Sequence, residues 1–121
     1  MEKIGGNIEL VLKRKDDFIE NDIGEQIPSY IDYKTFCGFL DMVNADASHS
    51  TYNAKIEEST HYFICDYDEL PDFVDNEGVT RKATINELKA YCNDKEYDVL
   101  WIDNPMELNY HYEIYLKYKG A

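Results

Sequence analysis

The chain has 121 residues, 44% of them apolar and 14% aromatic, with only six Gly and three Pro. Such a chain fills one hydrophobic core, which excludes a two-domain enzyme and a chain disordered by composition. Twenty-five acidic residues against twelve basic ones leave a net charge of −13, which argues against binding to phosphate backbones or anionic membranes, because both attractions need Lys and Arg.

From the N-terminus, Met1 to Gly6 carries no apolar stretch of the kind a secretory signal needs, and residues 1–6 are expected to be a flexible terminus. Ile8, Leu10 and Leu12 then alternate with Glu9, Val11 and Lys13, the period of two that marks a strand with one buried face, so a first strand is predicted from about Asn7 to Phe18. Turn formers gather around Gly24, and Pro28 precedes Tyr30-Ile31-Asp32-Tyr33, the start of a second strand. Thr35 to Val43 continues in strand chemistry around Gly38, and a glycine inside a strand marks a bulge or a close backbone approach.

Asn44 to Glu58 is small and polar and offers little to a core, so it reads as a long loop in which Tyr52 and Ile56 have at most the spacing of one helical turn. Ser59 to Tyr67 returns to a strand, with His61, Phe63 and Cys65 on one face and Tyr62 and Ile64 on the other, both partly buried. Asp68 to Gly78 is acidic with turn formers at both ends and reads as an exposed, solvated insertion.

Two readings fit Thr84 to Asn93. Thr84 followed by Glu87 forms a capping box, and Ile85, Leu88 and Cys92 share a helical stripe. Alternatively Leu88, Ala90 and Cys92 lie on one strand face, the chain turns at Asn93-Asp94, and Tyr97 to Ile102 returns as the second arm of a hairpin; the hairpin is the favoured reading. Asp103-Asn104-Pro105 ends that arm. In the last segment Tyr110, Tyr112, Ile114, Leu116 and Tyr118 alternate with Asn109, His111, Glu113, Tyr115 and Lys117, a strand central to the core. The sum is an all-β protein, most simply a small antiparallel β-barrel of residues 7–119 with one long polar loop and at most one short helix.

No chemistry-bearing constellation stands out. His49, His61 and His111 lack the spacing that puts two metal ligands on one face, and Asp66 to Glu77 lacks the ordered ligands of a calcium loop. Cys37, Cys65 and Cys92 have no CxxC spacing and sit in apolar segments as small hydrophobes would, all three reduced. Ser48-His49-Ser50 has no orienting acid implied. No catalytic residue, cofactor or metal is expected, and the longest apolar runs, such as Val99 to Ile102, fall far short of the ~20 residues of a membrane span. Eleven Tyr suit a protein-contact surface or the rim of a small core.

The order of segments resembles a known family. A first strand with Leu12-Lys13-Arg14-Lys15 is followed by the Gly24-Glu25 turn, by Gly38-Phe39-Leu40-Asp41 and by the polar loop. After it come Glu58-Ser59-Thr60-His61-Tyr62-Phe63-Ile64-Cys65-Asp66, then Tyr97-Asp98-Val99 with Ile102-Asp103-Asn104-Pro105, and a closing His111 to Leu116. This pattern resembles the head closure proteins of tailed bacteriophages, also called head completion, stopper or head–tail joining proteins.

The resemblance implies a small β-barrel that self-associates into a ring on the virion at the head–tail interface, beneath the portal-adaptor protein and above the tail. There it would close the DNA channel after packaging and dock the tail, having assembled in the host cytoplasm. It assigns to Asp46, Ser48, His49, Ser50, Thr51 and Tyr52 the role of a channel or subunit-contact loop. It also gives the acidic charge a use, a wall that DNA passes without sequence-specific binding. The alternative is a small acidic binding module or DNA mimic occupying a nucleic-acid-binding protein. A small hydrolase using His61 or His111 is a third class, with the least support.

Overall fold

The computed structural model describes residues 8–20, 22–42 and 59–120. It contains eight strands, in chain order β1 (Ile8–Glu20), β2 (Gln26–Met42), β3 (His61–Asp66), β4 (Phe73–Val74), β5 (Thr80–Arg81), β6 (Leu88–Cys92), β7 (Lys95–Asp103) and β8 (His111–Gly120). Six of them close into a barrel in the order β1-β2-β3-β8-β7-β6, and β4 with β5 makes a separate two-stranded sheet. Every neighbouring pair is antiparallel. The protein is all-β, as its alternation predicts. Among the described residues there is no α-helix, only two single 3-10 turns, Ile85–Glu87 and Pro105–Glu107. The terminus 1–6 and the polar loop, Asn44 to Glu58, lie outside the described residues.

The core follows from the alternation. Leu10 and Leu12 of β1, Phe63 and Cys65 of β3, and Ile114 and Leu116 of β8 are fully enclosed, joined by Leu88, Ala90, Tyr97 and Val99 from the β6–β7 hairpin. Each large side chain removed from water in this way stabilises the fold by roughly 1.5–3 kcal/mol. The last strand is central between Tyr112 and Leu116, whereas Tyr110 and Tyr118, read as sharing the buried face, are exposed at its two ends. Cys37 also departs from expectation: Phe36 and Gly38 point inward, so Cys37 between them is exposed, and only Cys65 and Cys92 are buried.

Both readings of Thr84 to Asn93 hold a part of the answer. The capping box forms, with the Thr84 N–H donating to Glu87 Oε1 at 2.9 Å, but it starts only one 3-10 turn. The chain then enters the hairpin, and Asn93 and Asp94 turn it with φ of 54° and 63°, the left-handed pair that a two-residue hairpin loop requires.

Four register shifts interrupt the barrel ladders, and two of them re-aim side chains that matter below. Between β1 and β2, Leu12 faces Lys34 and Lys13 faces Asp32, so Tyr33 is the extra residue. Between β7 and β8, Val99 faces Leu116 and Trp101 faces Tyr115, so Leu100 is extra. A bulge bends its strand and re-aims the side chains beside it. Tyr33 thereby reaches the acidic insertion: its hydroxyl donates to the Pro71 carbonyl and accepts the Ala83 N–H, holding both limbs at once.

The insertion is therefore folded onto the barrel, not solvated throughout as its composition implies. Phe73 lies with the Arg14 guanidinium 3.9 Å and the Arg81 guanidinium 5.0 Å from its ring centre. Arg81 forks onto Glu87 at 2.7 and 2.9 Å and reaches Asp75 at 2.8 Å, while Lys82 sits 3.0 Å from Asp72 and 3.3 Å from Glu69. The acids that made the segment look soluble are the ones that bind its own cations.

This arrangement predicts a pH response. The Arg81 guanidinium, aided by the Thr84 N–H, holds the Glu87 carboxyl down at about 2. A depressed carboxylate stabilises the folded form above its unfolded pKa of ~4.3 and ceases to as pH falls through the folded value. Amides of 70–82 should stay protected from exchange at pH 5 and lose protection as pH falls towards about 2. Arg81→Met should remove that protection already at pH 7 with little change in the global unfolding transition. Equal protection in the variant would contradict the clamp.

Candidate interaction surface

The outward residues of β2, β3, β8 and β7 lie in two adjacent rows. Phe39, Ile64, Glu113 and Asp103 face one another across the four strands in one row, and Asp41, Tyr62, Tyr115 and Trp101 do so in the next. Trp101 and Asp103 belong to this surface because of the Leu100 bulge. Without the extra residue, strand parity from Val99 would turn Trp101 inward and Ile102 outward; with it, Ile102 packs against the core and Trp101 is 39% exposed. Phe39 is 49% exposed, and Tyr62, Ile64 and Tyr115 are half-buried. The Tyr62 and Tyr115 rings lie 6.5 Å apart, tilted by 35°.

Carboxylates border this apolar strip. Glu113 accepts the Tyr115 hydroxyl at 3.1 Å through Oε1, and its Oε2 lies 3.0 Å from His111 Nε2. Asp103 stands directly opposite Glu113 in the ladder and forms no ion pair among the described residues. Burial, and next the Glu113 charge, push the Asp103 carboxyl up, with His111 acting the other way. None of the eight outward residues of the two rows is Lys or Arg; Lys117, two residues beyond Tyr115 on β8, faces Asp98.

The barrel rim below β2 and β3 holds His61. Its Nδ1 lies 2.9 Å from Thr60 Oγ1, which accepts the Tyr118 amide N–H at 2.8 Å, and its ring meets Tyr97 edge-on at 5.2 Å. Burial and then Lys95 push its pKa down, with Asp41 opposing. A lowered folded pKa means that the neutral ring is favoured by folding, so this contribution is present above ~6.5 and is lost as pH falls below it. The His61 ring carbon resonances should titrate with a midpoint below ~6.5; a midpoint above that value would contradict these surroundings.

His61 and His111 are not brought together. They pair with Leu116 and Asp66 at opposite ends of the β3–β8 ladder, five steps and roughly 16 Å apart at ~3.3 Å per residue. Burial pushes the Cys65 thiol up to about 12, which keeps it a poor nucleophile. A cleft of about 200 Å³ between β1 and the β4–β5 hairpin is lined in part by Arg14, Phe73 and Arg81, which already hold one another there.

Asp46, Ser48, His49, Ser50, Thr51 and Tyr52, the loop residues singled out from the sequence, lie outside the described residues. The aromatic strip was missed because Val99 to Ile102 reads as one apolar run; eleven Tyr were the compositional hint that such a surface exists. No family model matches the chain and no curated protein matches it.

Proposed function

We propose that this chain is a structural, non-catalytic assembly protein of the tailed-phage head closure class. It would form a ring on the virion at the head–tail interface, between the portal-adaptor protein and the tail, after assembly in the host cytoplasm. The observation that carries the reading is the closed six-stranded barrel, built from the segments whose order resembles that family. An aromatic outer face supports work done by protein contact.

Deletion of Asp46 to Thr51 tests the reading. The deletion protein should unfold cooperatively near the parent's midpoint, and heads complemented with it should leak DNA or remain tailless. Infectious particles at normal yield would overturn the role given to this loop.

One observation favours the second reading, an acidic module that mimics DNA. Lys34, Arg81, Lys82 and Lys89 are each held by carboxylates of the same chain, so the remaining negative charge is displayed outward. A mimic would bind a basic nucleic-acid-binding protein with a steep salt dependence, whereas a closure protein would bind the portal-adaptor ring.

A further inference from the structure

The outer strip of β2, β3, β8 and β7 differs from the rest of the barrel in how its carboxylates are treated. At the insertion, crowded acids are neutralised from within the chain: Asp75 and Glu87 share Arg81, and Glu69 and Asp72 share Lys82. Asp103 and Glu113 also crowd each other, directly opposite in the ladder. Like charges in that relation are destabilising. His111 lies 3.0 Å from Glu113 and acts on the Asp103 carboxyl as well, but no Lys or Arg pairs with either carboxylate among the described residues.

Beside this carboxylate pair, Trp101 and Tyr115 face each other across the same two strands. A planar guanidinium is the group that answers both features, because it lies against aromatic faces and donates in a fork to carboxylates. A lysine ammonium would satisfy the charge but not the flat ring surface.

We infer that this strip docks a partner protein through an arginine flanked by apolar side chains, with the guanidinium between the Trp101 and Tyr115 rings and the Asp103 and Glu113 carboxylates. The apolar flanks would cover Ile64 and Phe39. Charge complementarity selects this occupant over a second copy of the chain. Two copies meeting through the same strip would bring two acidic borders together, a like-charge juxtaposition that interfaces avoid. The inference rests on the reading of the barrel as a protein-contact module, not on the phage assignment.

Trp101 is the single tryptophan of the chain, so its emission reports on the strip in the full-length protein. The probe is the capped peptide Gly-Leu-Arg-Leu-Gly, compared with the same peptide carrying citrulline, which keeps the shape of arginine without its charge. The arginine peptide should change Trp101 emission saturably, and the citrulline peptide should bind about tenfold more weakly, the loss expected for a hydrogen bond to a charged group.

Asp103→Asn should give a similar loss, while Glu9→Gln, the same charge change on β1, should leave the affinity unchanged. Asp103→Asn relieves a repulsion and should unfold no earlier than the parent, which separates lost binding from lost folding. Equal binding of the two peptides, an unchanged affinity in Asp103→Asn, or no change in Trp101 emission at millimolar peptide would overturn the inference. So would a Trp101 shift that follows protein concentration alone with dimers in sedimentation, since the strip would then be taken by a second copy. Failure of any of these arms leaves the head-complementation result independent, so the two readings fail separately.

Discussion

Gly38→Ala is expected to abolish the folded barrel or destabilise it by on the order of 3 kcal/mol or more. Gly38 pairs with Ile8 on one side and Cys65 on the other, so it lies within three continuous strands. A Cβ placed there would run into the backbone carbonyl oxygen of Ile64 and stand 3.0 Å from both the Cys65 Cβ and the Phe63 ring. A flexible neighbour could swing away, but a carbonyl held between the β2–β3 and β3–β8 ladders cannot move without disturbing them. The same geometry predicts that shortening Phe63 to Leu in the Gly38→Ala background restores nothing, because the closest atom belongs to the backbone. Denaturant unfolding monitored by far-ultraviolet circular dichroism checks this; a midpoint within error of the parent would show that the sheet gives way locally.

Phe63→Ala should cost about 3–5 kcal/mol, the range for removing a buried ring and leaving a cavity. Phe63 is fully enclosed, and it stands in register between Leu40 of β2 and Ile114 of β8. The barrel wall around it is fixed by strand pairing on both sides, so collapse into the space would have to shift β2 or β8. Against a total stability of roughly 5–15 kcal/mol for a domain, a loss of this size leaves a marginal protein. The midpoint of unfolding should fall steeply with the m-value unchanged. A loss under about 1 kcal/mol would mean that the site closes over, contrary to a wall held rigid by its ladders.

The parts legible in the sequence are those governed by a local period. Ile8, Leu10 and Leu12 in β1, and Tyr112, Ile114 and Leu116 in β8, alternate because each strand has one face on the core. The Asn93-Asp94 turn is legible for the same local reason, since both residues tolerate positive φ. Gly38 announced a close approach, and the Ile64 carbonyl is what approaches; the bulges lie elsewhere, two of them at Tyr33 and Leu100.

Those bulges are set by the partner strand, one residue of which must face two, and a single sequence carries no mark of that spacing. Each shifts the parity of the residues beyond it. One sends Tyr33 to Pro71 and Ala83, turning a soluble-looking acidic insertion into a folded flap. The other turns Trp101 and Asp103 to the outside, creating the strip that no apolar pattern could announce. Cys37 misled for a related reason: in a continuous strand with Phe36 and Gly38 inward, its apolar neighbours in sequence are not its neighbours in space.

If the barrel is a component of the head–tail junction, it must be found there. Negative-stain imaging of tailed particles from a lysate of cells that carry the gene, labelled with gold-conjugated antibody to this chain, decides the matter. Label is expected at one vertex of filled heads, where the tail joins, with tailless or emptied heads when the gene is interrupted. Label spread through the lysate and absent from every particle, with intact tailed particles forming without the protein, would refute the assignment.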